Sequence, residues 1–467
     1  MTPKNCKKTV VLINILILFL LPPFPNESRA SSLTTEQERI LGQQFLAEIR
    51  KHLRILDDDF ANEYINDLGQ YLLRPLETKR FPFHFYIIES NTLNAFAGPG
   101  GHIFFYSGLI ETMTEIDELA SVVCHEISHV SARHVAQRIE RNTKIGLATA
   151  GGVLAGVLIG SEGGQAVIAG SVAAGTQAQL HYSREDERQA DQLGFKYTAE
   201  SGFNPEAMMV VLNKIQRGQG NIAGAVPRYF LTHPTGPERM SRLETMLSGH
   251  TPKSEKAATE KFRRLFPFFK TTLTAKCSPP SEAEEMFRKA LLKEPDSTQA
   301  HLGLAIVLKA DSEYALAIDH FQKALNGAPD SPPILRELGE TYILNNQDEE
   351  GVALLEKSLS QNNEDRSALF LLAKYHEDRE EYPEAIRLYE RLKSMEPVKD
   401  DVIYRLGVCY GREDKLALAH YHFGIYFRRM GDLEKAKYHF REANKSSEND
   451  PAMKAKIQKA IEEISVK

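Results

Sequence analysis

Between residues 283 and 410 the chain repeats itself every 34 residues. Leu304, Leu338, Leu372 and Leu406 keep that step, and so do Phe287, Phe321, Leu355 and Tyr389. Pro295, Pro329 and Pro397 follow it too, with Asn363 in the place of the missing proline. A fixed period of this length is one helix–turn–helix unit per repeat, which buries its apolar face only by stacking on its neighbours. Small residues fall where two helices must cross closely: Ala305, Gly339, Ala373 and Gly407 on the first helix, Ala317, Gly351 and Ala385 on the second. The array opens on a half-unit, Ala283 to Leu292. Towards its end Gly424, Ala436, Phe440 and Ala443 restart the register 17 residues out of step, so one helix near 415 to 429 is expected to serve two units. The concave face of such a stack takes an extended segment or a partner helix; the alternative is that the array only caps its neighbour.

The period is that of tetratricopeptide repeats, and it occupies only part of the 467 residues. A hydrophobic content of 42% supports two ordinary domains. The polar stretch Ser248 to Thr259 reads as linker, whereas Phe262-Arg263-Arg264-Leu265-Phe266-Pro267-Phe268-Phe269 is too aromatic to face water and is expected at the domain junction. The expected division is 1–30 signal peptide, 31–250 first domain, 251–280 linker or junction, and 281–467 repeats.

Lys4, Lys7 and Lys8 precede the apolar run Thr9 to Leu21, Pro22 and Pro23 break it, and Ser28-Arg29-Ala30 offers a small-x-small cleavage site. A signal peptide cleaved after about Ala30 is the first reading, and an uncleaved anchor the second, since Asn14 interrupts a short run. Cys124, Cys277 and Cys409 then remain, an odd number that argues against a disulfide-built scaffold. A net charge of −6 without a basic stripe gives no support to nucleic-acid binding. The glycine-rich stretch Ile145 to Thr176, with Gly152, Gly156 and Gly160 at four-residue spacing, reads as a helical hairpin beside the cleft, peripheral membrane contact being the alternative.

The first domain carries the chemistry. Glu118 to Val130 is an apolar helical run that contains His125-Glu126-Ile127-Ser128-His129. One helical turn puts residues i and i+4 on the same face, so the two imidazoles converge. That arrangement suits a zinc ion, with Glu126 displaced along the helix where its carboxylate can take a proton from water. A third ligand is needed. Ser183 to Asp191 opens with a Ser-x-x-Asp capping signal and places Glu187 and Asp191 on one face, a spacing that suits a ligand carboxylate followed by one that orients a ligand histidine. For Asp191 an ordinary helix-surface role is the alternative. His134, five residues after His129, falls about 140° round a continuous helix and is expected to point away from the metal as a structural residue. Cys124 also faces elsewhere. Upstream, Phe83 to Ile88 and His102 to Tyr106 are aromatic and branched, with turn-rich Ala97 to Gly101 between them, and predict a small sheet. If its edge borders the cleft, a substrate chain can add as one more strand.

Four ordered pieces resemble a known family. Asn94-Ala95-Phe96-Ala97-Gly98-Pro99-Gly100-Gly101-His102-Ile103, His125-Glu126-x-x-His129, Ser183-Arg184-x-x-Glu187-x-x-Ala190-Asp191 and His233-Pro234-Thr235-x-x-Glu238-Arg239-Met240 are similar to the motifs of the gluzincin peptidases. That family includes the CAAX prenyl protease, the HtpX heat-shock membrane protease and the BepA (YfgC) type. The resemblance covers roughly residues 35 to 250, with Met240 where the family more often has Ile or Leu. It implies an α+β zincin-type metallopeptidase domain ahead of an all-α tetratricopeptide solenoid, and one zinc ion per chain on His125, His129 and Glu187. Glu126 is then the catalytic base and later the acid to the leaving amine, with Asp191 in support. His233 or Arg239 is read as an oxyanion stabiliser. The other readings of His233 are a latch that enters the open zinc position and a capping or core histidine.

The BepA type joins the same two domains after a signal peptide. Its resemblance implies a periplasmic endopeptidase and chaperone acting on unfolded or stalled outer-membrane proteins, with the β-barrel assembly machinery as partner of the repeats. The rival is a non-proteolytic, repeat-based binding protein with a structural zinc site. A membrane-embedded prenyl-protein protease is disfavoured, because the mature chain has no uninterrupted apolar span of about 18 residues.

Overall fold

The computed structural model describes residues 33–141, 182–218, 228–234, 237–250, 257–395, 398–447 and 450–465. The expected signal peptide, the glycine-rich stretch 145–176, and Thr235 and Pro397 lie outside the described residues. Among the described residues no helix is long and apolar enough to cross a membrane.

Helix α1 (Thr35–His52) starts at a Thr34/Gln37 capping box, and α2 (Asp59–Leu72) at Asp58, whose carboxylate accepts from the Ala61 N–H at 2.7 Å. Three short strands follow: β1 (His84–Ile88), β2 (Ala95–Ala97) and β3 (His102–Tyr106), in the order β1-β3-β2. β1 runs parallel to β3, and β2 antiparallel. The sequence pattern predicts two strands; the third is three residues long, too short for alternation to show. The turn from β2 into β3 requires Gly100 and Gly101, both at positive φ (71° and 88°). A Cβ on Gly101 would lie 2.3 Å from the Pro82 carbonyl oxygen.

After α3 (Ser107–Thr112) comes α4 (Ile116–Ser131), the helix of the His-Glu-x-x-His motif, buried along its whole length to Val130 and therefore core on every face. α5 (His134–Arg141) follows after a break. α6 (Arg184–Ser201) begins at a reciprocal Ser183/Asp186 capping box, as the Ser-x-x-Asp signal predicts, and ends at Gly202 in the left-handed region. α6 packs along α4, and Gly194 lets it come close: a Cβ there would lie 3.2 Å from both Cα and N of His125. α7 (Ala207–Gly218), α8 (Arg228–Thr232) and α9 (Pro237–Ser248) complete this half.

The aromatic run predicted at the junction is part of α10 (Glu260–Cys277), which belongs to two cores. Phe262, Phe266, Phe269 and Leu273 are buried with the N-terminal helices, Phe269 stacking on Tyr64 at 4.4 Å. Phe268 and Ala275 are buried with the first repeats. Two side chains tie α10 to the start of the motif helix: Arg263 pairs with Asp117, and Lys270 donates to the Met113 carbonyl.

The repeats comprise α11 (Pro280–Lys293), α12 (Thr298–Ala310), α13 (Tyr314–Gly327), α14 (Pro332–Leu344), α15 (Asp348–Gln361), α16 (Arg366–Asp378), α17 (Tyr382–Lys393), α18 (Asp400–Arg412), α19 (Leu416–Arg429), α20 (Leu433–Ser446) and α21 (Pro451–Ser465). The half-unit is α11, and α10 supplies the helix it lacks. Each turn inside a repeat holds one non-glycine residue at positive φ: Ser312 (64°), Asn346 (58°), Glu380 (61°) and Asp414 (58°), again 34 residues apart. The following N–H reaches back to close the helix end, as in Glu313 N to Leu308 O and Glu381 N to His376 O, both 2.9 Å. Gly431 (80°) repeats the device 17 residues after Asp414, so α19 packs on both α18 and α20.

The first inner helices of the array face the N-terminal half. Lys309 of α12 pairs with Glu337 of α14 and, at 2.7 Å, with Glu340. Lys276 of α10 reaches Asp58 and lies 3.3 Å from Glu337. The Arg336 guanidinium sits 5.4 Å from the centre of the Phe60 ring on α2, and Lys399 pairs with Asp59.

Candidate metal centre

Four side chains from three places in the fold converge. His125 and His129 project from successive turns of α4, Glu187 from the first turn of α6, and His233 from the loop after α8; their ligand atoms all lie within 4.8 Å of one another. His125 Nε2 is 3.1 Å from His129 Nε2, 3.5 Å from Glu187 Oε2 and 3.4 Å from His233 Nδ1. His129 Nε2 is 3.4 Å from Glu187 Oε1, and His233 Nδ1 is 2.9 Å from the same oxygen. Ligands about 2.05 Å from a tetrahedral ion stand roughly 3.3 Å apart, so these separations fit a small divalent metal. All four residues are buried, and so is Glu126, whose two oxygens have no hydrogen-bond partner. Ring nitrogens and carboxylate oxygens crowded together out of water need a cation among them.

A second layer holds this set. Asp191 Oδ1 lies 3.2 Å from His125 Nδ1, which leaves Nε2 for a metal. Arg239 is clamped to Asp191 by two hydrogen bonds of 2.9 Å, and its Nη1 is 2.9 Å from Glu187 Oε2. Its guanidinium is thus committed to two carboxylates, a placement that suits holding Glu187 and not receiving an oxyanion. Tyr182 stacks on His129 at 3.7 Å, and Tyr229 stacks on His233 at 4.5 Å. His134 departs from expectation: its Nδ1 is 2.9 Å from His129 Nδ1, because α4 stops at Ser131 and the continuous helix behind the 140° projection does not exist.

The charges follow from these contacts. Burial alone would lower the His125 imidazole, but Asp191 and Glu187 outweigh it and push it up to about 9. At His129 burial wins and holds the ring well below its usual range. Burial would raise Glu187, yet His233 and Arg239 keep it well below the ordinary carboxylate value. Glu126 goes the other way: burial lifts it, and His233 and His125 do not compensate.

The edge of the sheet borders the centre. Asn94, Phe96 and Gly98 face β3, as Tyr106 N to Asn94 O at 3.0 Å and Gly98 N to His102 O at 2.7 Å show, so the carbonyls of Ala95 and Ala97 point outwards. His233 Nε2 lies 3.3 Å from Ala95 O, and the Tyr182 hydroxyl donates to Ala97 O at 3.3 Å.

Residues 60–247 match the model of peptidase family M48. This chain carries a family M48 peptidase domain. Residues 280–332 and 308–375 match tetratricopeptide repeat models, so a metallopeptidase domain is followed by tetratricopeptide repeats, as the sequence predicts. The beta-barrel assembly-enhancing protease of Yersinia pestis is 28% identical over 373 residues, 78% of this chain and 75% of that protein. Its namesake from Escherichia coli (strain K12) is 32% identical over 222 residues, 47% of this chain and 45% of the relative, so that match spans about half the relative's length. The mitochondrial metalloendopeptidase OMA1 of Schizosaccharomyces pombe is 24% identical over 232 residues, 48% of this chain and 65% of the relative.

Proposed function

We propose that the chain is an exported zinc endopeptidase that cuts unfolded or stalled outer-membrane proteins in the periplasm, with a chaperone role and with the β-barrel assembly machinery as partner of the repeats. The observation that carries the catalytic part is the buried set His125, His129 and Glu187 with the Glu126 carboxylate beside it, which accepts no hydrogen bond and has His233 Nε2 3.5 Å from Oε1. The names of the bacterial relatives support the choice of client. Zinc, when bound to His125, His129 and Glu187, supplies a Lewis acid that acidifies water and polarises a carbonyl. Glu126 takes a proton from the attacking water on a free carboxylate oxygen and returns it to the leaving amine; burial raises its basicity, which suits both steps. Asp191 and Arg239 fix His125 and Glu187. A substrate strand pairs with the outward carbonyls of Ala95 and Ala97 once His233 and Tyr182 withdraw, so His233 is a latch on both the metal and the sheet edge.

One observation favours the rival reading. Four protein donors in a fully buried set is the pattern of a structural zinc site, which leaves no position for substrate. Metal analysis of the purified mature chain, with cleavage of an unfolded outer-membrane protein measured with and without chelator, separates the two. Glu126→Gln should keep near-stoichiometric zinc and lose cleavage. Normal hydrolysis by that variant would sink the protease mechanism.

A further inference from the structure

The break between α4 and α5 is a strained one. Arg133 adopts a φ of 58°, a left-handed conformation that is strained for a residue with a Cβ. It is held there by its own side chain: Nε donates to Glu38 Oε2 at 3.0 Å, and Nη2 donates to the Leu33 carbonyl. The result is a fully buried His134 turned back towards the centre. Its Nδ1 meets His129 Nδ1 at 2.9 Å, and its Nε2 meets Gln189 Oε1 at 3.0 Å.

Two ring nitrogens 2.9 Å apart share one hydrogen. Gln189 Oε1 accepts, so His134 carries its hydrogen on Nε2 and a lone pair on Nδ1. His129 then carries its hydrogen on Nδ1, and its Nε2 lone pair faces His125 and Glu187. Were the amide of Gln189 turned round, each hydrogen would move one place along, and His129 Nε2 would bear a hydrogen where a lone pair is needed. We propose that Gln189 and His134 form a relay that sets the tautomer of His129 for metal binding, with the Arg133 kink as the device that brings His134 into line. His125 receives the same instruction in one step, from Asp191. Glu187, Gln189 and Asp191 all stand on α6, so one helix gives a donor and sets both imidazoles of the other.

The proposal rests on the metal reading of the centre, and its test keeps the two apart. Gln189 is exposed, so substitution there spares the packing. The hydrogen positions are read from histidine ¹⁵N shifts in the zinc-free full chain, and zinc affinity from chelator competition. Wild type and Gln189→Glu, which keeps an acceptor, should both show His129 protonated on Nδ1 and bind zinc within about threefold of each other. Gln189→Lys, which can only donate, should move the His129 hydrogen to Nε2. His134→Phe should weaken zinc binding by about tenfold or more, and adding Gln189→Leu to it should change nothing further. A wild-type chain that binds no zinc overturns the metal reading. A wild-type chain that binds zinc but holds the His129 hydrogen on Nε2 when zinc-free, or that loses no affinity in His134→Phe, overturns the relay alone.

Discussion

Glu337 offers a quantitative test of how the two halves are joined. It lies between Lys309 of its own array and Lys276 of α10, and it is shielded from water with a side-chain exposure of 15%. Burial would raise its carboxyl, but the two ammonium groups pull it down to about 2 from an ordinary 4.5. That difference corresponds to roughly 3 kcal/mol of native-state stability. Glu337→Gln removes the charge, leaves both lysines in place, and should cost about the same, within the roughly 3–5 kcal/mol seen when one partner of a buried pair is lost. The sign of the pH dependence is fixed by the depressed value. The contribution is fully present above the unfolded carboxyl pKa and disappears as pH falls towards the folded one, so wild type and variant should converge by about 1.4 kcal/mol per pH unit below pH 4.5. The chain has no Trp, so urea unfolding is followed by tyrosine fluorescence and far-UV dichroism at pH 7 and at pH 3.5. A cost below about 1 kcal/mol, or a gap that does not narrow in acid, would refute the idea that this ion cluster holds the junction.

His233→Ala should raise turnover of an unfolded substrate while zinc stays bound through the other three residues, whereas Glu187→Gln should release zinc; equal activity of His233→Ala and wild type would remove the latch. Gly194→Ala should push α6 from α4 by a few tenths of an ångström, since its methyl would sit 3.2 Å from the His125 backbone, and zinc affinity by chelator competition should fall. Glu380→Gly should stabilise the repeats by about 1 kcal/mol in urea unfolding, because the residue stands at a φ of 61° where a side chain is strained; unchanged or lower stability would contradict that reading of the turn.

What the sequence discloses depends on whether a constraint is local. His125 and His129 are legible because the helical period alone brings them together, and the start of α6 is legible because Ser183 and Asp186 satisfy each other across three residues. The repeats are legible because the same packing problem recurs. His134 is not, since its direction depends on one residue, Arg133, leaving the helical region under the pull of Glu38 about 95 positions upstream. The partners of Arg239 are hidden for a related reason: a positive charge near a catalytic centre suggests a free donor, and only the tertiary fold shows its guanidinium enclosed by Asp191 and Glu187. β2 has three residues and no alternation. The turn positions Ser312, Asn346, Glu380 and Asp414 share a backbone shape but no side-chain chemistry, so a 34-residue step that is plain in φ is invisible in residue type.

Helix α10 has its opposite faces in different cores, and this removes the usual independence of neighbouring modules. Cutting the chain near His250 would strip Phe262 and Phe269 from Tyr64 and Leu273 from the same core, and leave the catalytic half with an open flank. The two halves are therefore expected to unfold in a single urea transition by tyrosine fluorescence and far-UV dichroism, and moving either onto a foreign partner would have to carry α10 along. The same helix grips the first turn of α4 through Arg263 and the Met113 carbonyl just ahead of it through Lys270. The solenoid and the approach to the His-Glu-x-x-His helix are thus joined through one and the same helix.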